Sequence, residues 1–132
     1  MQTSFIINGR KVRAAEKSFK NNLHWDESRE YIEKLNEISY EGYNDWRLPT
    51  VEEILVWCAT CADHKRSLFE GRLPDCDGEC SDTIWLWSSE EKDSKYAYGV
   101  LFKKDSAPEY KEVFYKLSWG EDYGCIAVRD EA

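Results

Sequence analysis

Four of the five cysteines fall in two close pairs, Cys58-Ala-Thr-Cys61 and Cys76-Asp-Gly-Glu-Cys80, with 14 residues between them. Zinc takes four soft ligands in a tetrahedron, and two short chelating pairs joined by a loop supply that set. A site built on Cys58, Cys61, Cys76 and Cys80 leaves no open coordination position, so the expected role is a structural staple rather than catalysis. His64, three residues after Cys61, is a candidate to replace one thiolate. Two other readings stay open. An oxidising compartment would turn the four into two disulfides and leave Cys125 over, and a reducing one would leave free thiols. A redox pair at Cys58 and Cys61 is disfavoured, because the reactive cysteine of such motifs sits at a helix N-terminus and this pair falls late in a predicted helix. Asp75-Cys-Asp77-Gly-Glu79 offers carboxylates to calcium but lacks the remaining spaced ligands of a calcium loop. His24 and His64 are the only histidines, neither lies in a motif, and no Ser/His/Asp set is convincing.

The elements that must position these residues can be read from periodicity. Asn8-Gly9 between β-prone arms predicts a hairpin near the N-terminus. Residues 15 to 24 are polar and read as loop. From Trp25 the spacing of Ser28, Tyr31, Ile32, Leu35 and Ile38 predicts a helix with one buried stripe, Asp26 as its N-cap and Glu41-Gly42 as its end. Pro49 precedes Thr50-Val-Glu-Glu53, a capping box that opens a second helix with Val51, Ile54, Leu55, Cys58 and Cys61 on its apolar face. Residues 63 to 83 read as a loop. After it the period changes to two: Trp85 and Trp87, then Tyr96, Tyr98, Val100 and Phe102, then Val113, Tyr115 and Leu117, with a last short strand over 123–129. A hairpin, two helices and an antiparallel strand run define an α+β fold.

At 132 residues the chain is expected to form a single domain over 1–132. Hydrophobic residues make up 42% and charged residues 33%, the balance of a soluble globular protein. No apolar run reaches the length of a membrane span, and the charged start MQTSFIINGRKVRAA does not read as a signal peptide. The formal charge of −8 repels phosphate backbones, so direct nucleic-acid binding is not expected. Solubility alone accounts for such a charge, and a basic partner or a metal cation also fits it.

The segment Gly42-Tyr-Asn-Asp-Trp-Arg-Leu-Pro-Thr50, leading into the helix with Glu53, resembles the signature of the Lcl C-terminal domain family, named for a collagen-like bacterial adhesin. Trp25, Tyr31 and Leu35 match the family's first helix, Trp87-Ser88-Ser89 its W-S-S turn, Tyr96–Phe102 the aromatic strand after it, and Ile126-Ala-Val-Arg129 its closing strand. The resemblance spans roughly residues 25 to 130 and implies a C-type-lectin-like fold, in a group that also contains formylglycine-generating enzymes. Many members carry a cysteine pair where this chain has Ile32 and Ala127, and the joint absence implies folding in a reducing compartment, the cytoplasm. The pairs at 58–61 and 76–80 depart from the family pattern. Asp45, Trp46, Arg47, Thr50, Glu53 and Trp87 are expected to be structural, with Trp46 and Leu48 anchoring the turn and Arg47 tying it to Asp45 or to loop carbonyls.

The resemblance implies a noncatalytic binding module that presents loops on a rigid scaffold. The candidate surfaces are 63–83, 88–95 and 103–110, and a protein partner of basic character suits their tyrosines, tryptophans and acids. A small acidic inhibitor or decoy of phage type is one alternative, and a glycan-binding adhesin-like domain is another. Enzyme activity is not expected, because formylglycine-generating chemistry needs a close cysteine pair near the C-terminus and only Cys125 lies there. Oligomeric state is not legible in the sequence.

Overall fold

The computed structural model describes residues 2–15, 20–21, 23–70, 83–103, 111–118 and 123–131. The N-terminal hairpin forms as the sequence predicts. Strands β1 (Ser4–Ile7) and β2 (Arg10–Ala14) pair antiparallel across Asn8 and Gly9, whose φ angles of 50° and 76° match the twist of the strands they join. A short β3 (Lys20–Asn21) follows where the sequence reads as loop.

Helix α1 (Trp25–Glu37) is capped two residues earlier than expected. His24, not Asp26, is the N-cap: it is extended, its Nδ1 accepts from the Glu27 amide at 3.2 Å, and Glu27 Oε1 accepts from the His24 amide at 3.2 Å. Asp26 already lies in the first turn, where a carboxylate favours the helix dipole without capping. The buried stripe runs through Ser28, Ile32 and Leu35 but stops there. The helix ends at Glu37, so Ile38 falls past the last turn and is 68% exposed. A 3-10 turn over Tyr40–Gly42 leads into the signature segment.

The predicted capping box opens α2 (Val51–Thr60): Thr50 Oγ1 accepts from the Glu53 amide at 3.1 Å, and Glu53 Oε1 accepts from the Thr50 amide at 2.8 Å. A third helix, α3 (Ala62–Glu70), occupies the first part of the predicted loop. The breakers that suggested a loop, Gly71, Pro74 and Gly78, all lie beyond it and outside the described residues. Trp57 donates its Nε1 to His64 Nδ1 at 3.0 Å and joins the two helices inside the core.

The remaining strands are β4 (Thr83–Glu91), β5 (Tyr96–Lys103), β6 (Lys111–Tyr115), β7 (Tyr123–Cys125) and β8 (Val128–Glu131). They belong to two sheets, ordered β1-β2-β8 and β3-β7-β4-β5-β6. The expected run is antiparallel from β4 to β6 only. β7 pairs with β4 in parallel, because the chain leaves the β6 edge and returns on the other side of β4. The predicted last strand is split: Ile126 and Ala127 carry the chain from one sheet to the other.

Period-two alternation does hold in β4, and both its faces are buried. Ile84 and Leu86 meet α2 and the small sheet through Ile54, Trp57, Phe5 and Val12, whereas Trp85 and Trp87 meet Trp25, Phe114 and Tyr123. Burying a side chain such as Ile54 contributes about 1.5–3 kcal/mol. A third cluster joins Ile32 and Leu35 of α1 to Trp46, Leu48, Cys125 and Ala127. In β6 the inward residue is Phe114, while Tyr115, and Leu117 in the turn beyond the strand, both placed by period on the apolar face, are exposed. Gly99 is required by close approach, since a Cβ there would lie 2.6 Å from the Trp85 ring.

Candidate functional site

The signature segment is held from three directions. Asn36 of α1 pairs with the main chain of Trp46, accepting from its amide at 2.7 Å and donating to its carbonyl at 2.9 Å. The Trp46 indole donates to the Tyr40 carbonyl at 2.9 Å and lies against the rings of Tyr40 and Tyr43, so the ring is 3% exposed. Next along the chain, Arg47 exchanges both main-chain hydrogen bonds with Val128 of β8, at 2.8 and 2.9 Å.

The Arg47 side chain reaches Glu53, not Asp45. Its two terminal nitrogens donate to the two Glu53 oxygens at 2.7 Å each, and one also reaches Asp130 at 3.1 Å. Six residues separate Arg47 from Glu53, which the entry into α2 turns into a bidentate fit, the strongest geometry for this pair. Asp45 instead accepts from Arg129 at 2.7 and 3.1 Å. Burial works to raise the Glu53 pKa, but the Arg47 and Thr50 donors outweigh it and hold the carboxyl below its usual range. Asp45 is lowered chiefly by its hydrogen bonds from Arg129.

Trp87-Ser88-Ser89, expected as a turn, lies within β4 at a shift in its register with β5 and closes the other side. Trp87 is buried and donates to the Leu23 carbonyl at 3.0 Å. Ser88 donates to the Tyr98 carbonyl at 2.6 Å, while its own carbonyl accepts from the Trp25 indole at 2.9 Å. Ser89 is exposed, and its amide donates to the Pro49 carbonyl at 2.9 Å. The two motifs, some forty residues apart in sequence, are thus directly joined.

Between them lies a cleft of about 310 Å³. Helix α1 lines it with Trp25, Arg29, Ile32, Glu33 and Asn36, the signature segment with Trp46, Arg47 and Leu48, and the end of β4 with Ser89 and Glu91. The predicted set of structural residues did not include the α1 wall. Its signal was present, because positions 25, 29, 32, 33 and 36 recur at helical spacing on one face. Arg29 stacks over Trp25 at 5.0 Å, and one further cation, Lys116, lies 4.4 Å from that ring while donating to Glu91 at 2.6 Å.

Of the candidate zinc ligands, Cys58 and Cys61 sit in the core cluster around α2, and Cys76 and Cys80 lie outside the described residues. Burial pushes the Cys58 thiol to about 12 and the Cys61 thiol to about 11. His64 does not suit a ligand role. Its Nδ1 accepts from Trp57, which puts the ring proton on Nε2 and leaves no lone pair for a metal. Among the described residues no three His, Cys, Asp or Glu side chains converge as a metal would require. Of the predicted surfaces 63–83 and 103–110, residues 71–82 and 104–110 lie outside the described residues, and of 88–95 the first four residues belong to β4.

The scaffold is mixed α+β, and its specific sequence motifs meet around one cleft. The chain belongs to the Lcl C-terminal domain family, whose model matches residues 9–119, a noncatalytic domain of adhesin-like proteins. No curated protein and no solved structure matches the chain.

Proposed function

We propose that this chain is a noncatalytic binding module on a C-type-lectin-like scaffold, and that the cleft between α1, the signature segment and β4 contacts a protein partner of basic character. The observation that carries this reading is convergence: the two most specific motifs and one face of α1 line the same cleft. Charge supports the basic partner. Helix α1 bears five carboxylates against Arg29 and Lys34, a net of −3, and Glu91, paired with Lys116, stands on the opposite wall. A sugar platform is less well served, because Trp25 and Trp46 are each 3% exposed and offer no open ring face. A decoy of a nucleic-acid-binding protein is one case of a basic partner.

The test is binding of basic, acidic and neutral peptides, and of neutral oligosaccharides, between about 0.05 and 0.5 M salt. Binding of the basic peptides alone, weakening as salt rises, is the expected result. Salt-insensitive binding of an oligosaccharide would overturn it in favour of the glycan-binding reading.

A structural zinc on Cys58, Cys61, Cys76 and Cys80, in a reducing compartment such as the cytoplasm, remains part of the proposal. The closeness of Cys58 and Cys61 at the end of α2 supports the first half of the ligand set. About one zinc per chain, lost on Cys76→Ser with Cys80→Ser, is expected from metal analysis of protein purified without chelator.

A further inference from the structure

Asn8 is followed by a glycine, whereas Asn21, Asn22, Asn36 and Asn44 are followed by Asn22, Leu23, Glu37 and Asp45. Asn8 and Gly9 are both exposed at the hairpin tip, and among the described residues no hydrogen bond holds the Asn8 side chain or the Gly9 amide. A Cβ at Gly9 would meet no non-neighbouring atom within 4 Å, so the space around that residue is open. A side-chain carboxamide and an unshielded amide nitrogen are therefore neighbours, with no glycine side chain to crowd their approach.

We propose that Asn8 is a site of spontaneous covalent modification, passing through a cyclic imide to aspartate and isoaspartate, and that the isoaspartyl form unlatches β1 from β2. Hydroxide takes the Gly9 amide proton, and that nitrogen attacks Asn8 Cγ. The new C–N bond closes the imide ring, the bond from Cγ to the side-chain nitrogen breaks, and ammonia leaves. Water then opens the ring. Addition at Cγ leaves aspartate on the ordinary backbone, and addition at the main-chain carbonyl routes the chain through Cγ instead. The ring forms only when the Gly9 nitrogen rotates to face Cγ, which a tight turn resists until its tip opens. That opening is local, because β1 is an end strand and the tip closes on the Ile7–Arg10 pair.

Isoaspartate adds one main-chain carbon, about 1.5 Å of chain, to a two-residue turn whose length sets the strand register. Ile7 then no longer stands opposite Arg10, the residue that reaches Asp130 at 2.9 Å and Glu53 at 3.9 Å. A change at the hairpin tip thereby reaches the signature pair.

The test ages the folded full chain in warm, mildly alkaline buffer, beside the urea-unfolded chain and beside Asn8→Gly, whose Gly-Gly tip suits the same turn. Peptide mass mapping with isoaspartyl methyltransferase labelling should find loss of the side-chain nitrogen at Asn8 ahead of Asn36 and Asn44, with isoaspartate in the same peptide. Isoaspartate arising at Asp77-Gly78 is told apart by its own peptide and by the absence of nitrogen loss. Hydrogen exchange should show the β1 and β2 amides losing protection in the isoaspartyl fraction, and no such loss in aged Asn8→Gly. Survival of Asn8 in the folded chain, whether or not the unfolded chain loses it, would overturn the proposal. Isoaspartate at Asn8 with β1 still protected would overturn the unlatching.

Discussion

Arg47 and Glu53 meet in a two-pronged contact, 2.7 Å on each side, and Glu53 holds its partner from a position where its side chain is 1% exposed. The same carboxylate caps α2 through the Thr50 amide, so one side chain fixes both the signature turn and the helix that follows. Glu53→Ala should therefore destabilise the protein by about 3 kcal/mol, the cost of orphaning a buried pair partner plus a lost cap. The double change Arg47→Met with Glu53→Met should cost less than the sum of the single changes, read from urea unfolding. Additive losses would show that the two residues do not act as a unit.

Acid should loosen the same region. Glu53 and Asp45 have folded-state pKa values below their usual ones, so their stabilising contribution is fully present above the ordinary carboxylate range near about 4. It is lost as pH falls through the folded values. The unfolding midpoint should drop between about pH 5 and pH 2, and less steeply in Glu53→Gln. A wild-type and variant profile of equal slope would exclude Glu53 as a contributor.

Gly99→Ala tests the tight crossing of β4 and β5. The added methyl would press on the Leu86 carbonyl and the Trp85 ring, at 2.6 Å from the latter, with backbone and a buried indole as the groups that must move. A loss of about 1–3 kcal/mol is expected, and an unchanged melting temperature would contradict the packing described.

Cys125 should be chemically silent in the native state. It is fully buried, its thiol is pushed to about 12 by that burial, and its Sγ points to the Ser28 carbonyl at 4.0 Å. Iodoacetamide at neutral pH should label it only after unfolding, as mapped by peptide mass spectrometry. Rapid native labelling would show that the cluster around it opens readily.

Ile32 and Ala127, the two positions at which the family resemblance implies a cysteine pair, share one core cluster. Ile32→Cys with Ala127→Cys, in a Cys125→Ala background, should form a disulfide on oxidation and add about 2–4 kcal/mol. Two free thiols after oxidation would show that the positions are not opposed.

Local rules carried the reading of the sequence furthest. Asn8-Gly9 demanded a hairpin, and Thr50 with Glu53 demanded a helix start, because each feature satisfies its own backbone groups within a few residues. Trp85 and Trp87 were legible as one strand face for the same reason. What could not be read was set by distance along the chain. The parallel seat of β7, the division of 123–129 between two sheets and the choice of Glu53 by Arg47 all depend on tertiary neighbours. Averaging hid α3, since the composition of 63–83 is dominated by its second half. Of the cleft, the motif walls are legible in the sequence and the α1 wall is not, because the buried stripe of Ser28, Ile32 and Leu35 masks the neighbouring face that carries Arg29, Glu33 and Asn36.

The small sheet has a consequence for how the protein is made. Its middle strand, β2, pairs on one side with β1 and on the other with β8, so Lys11 waits for Glu131 and Arg13 for Arg129. Arg47 likewise needs Val128 for its main chain and Asp130 for its side chain. A nascent chain halted before residue 128 would hold a hairpin with a bare edge and a signature turn missing one of its three supports. Ribosome-bound intermediates should thus expose β2 to other extended chains until β8 has emerged to cover it, an aggregation hazard during synthesis.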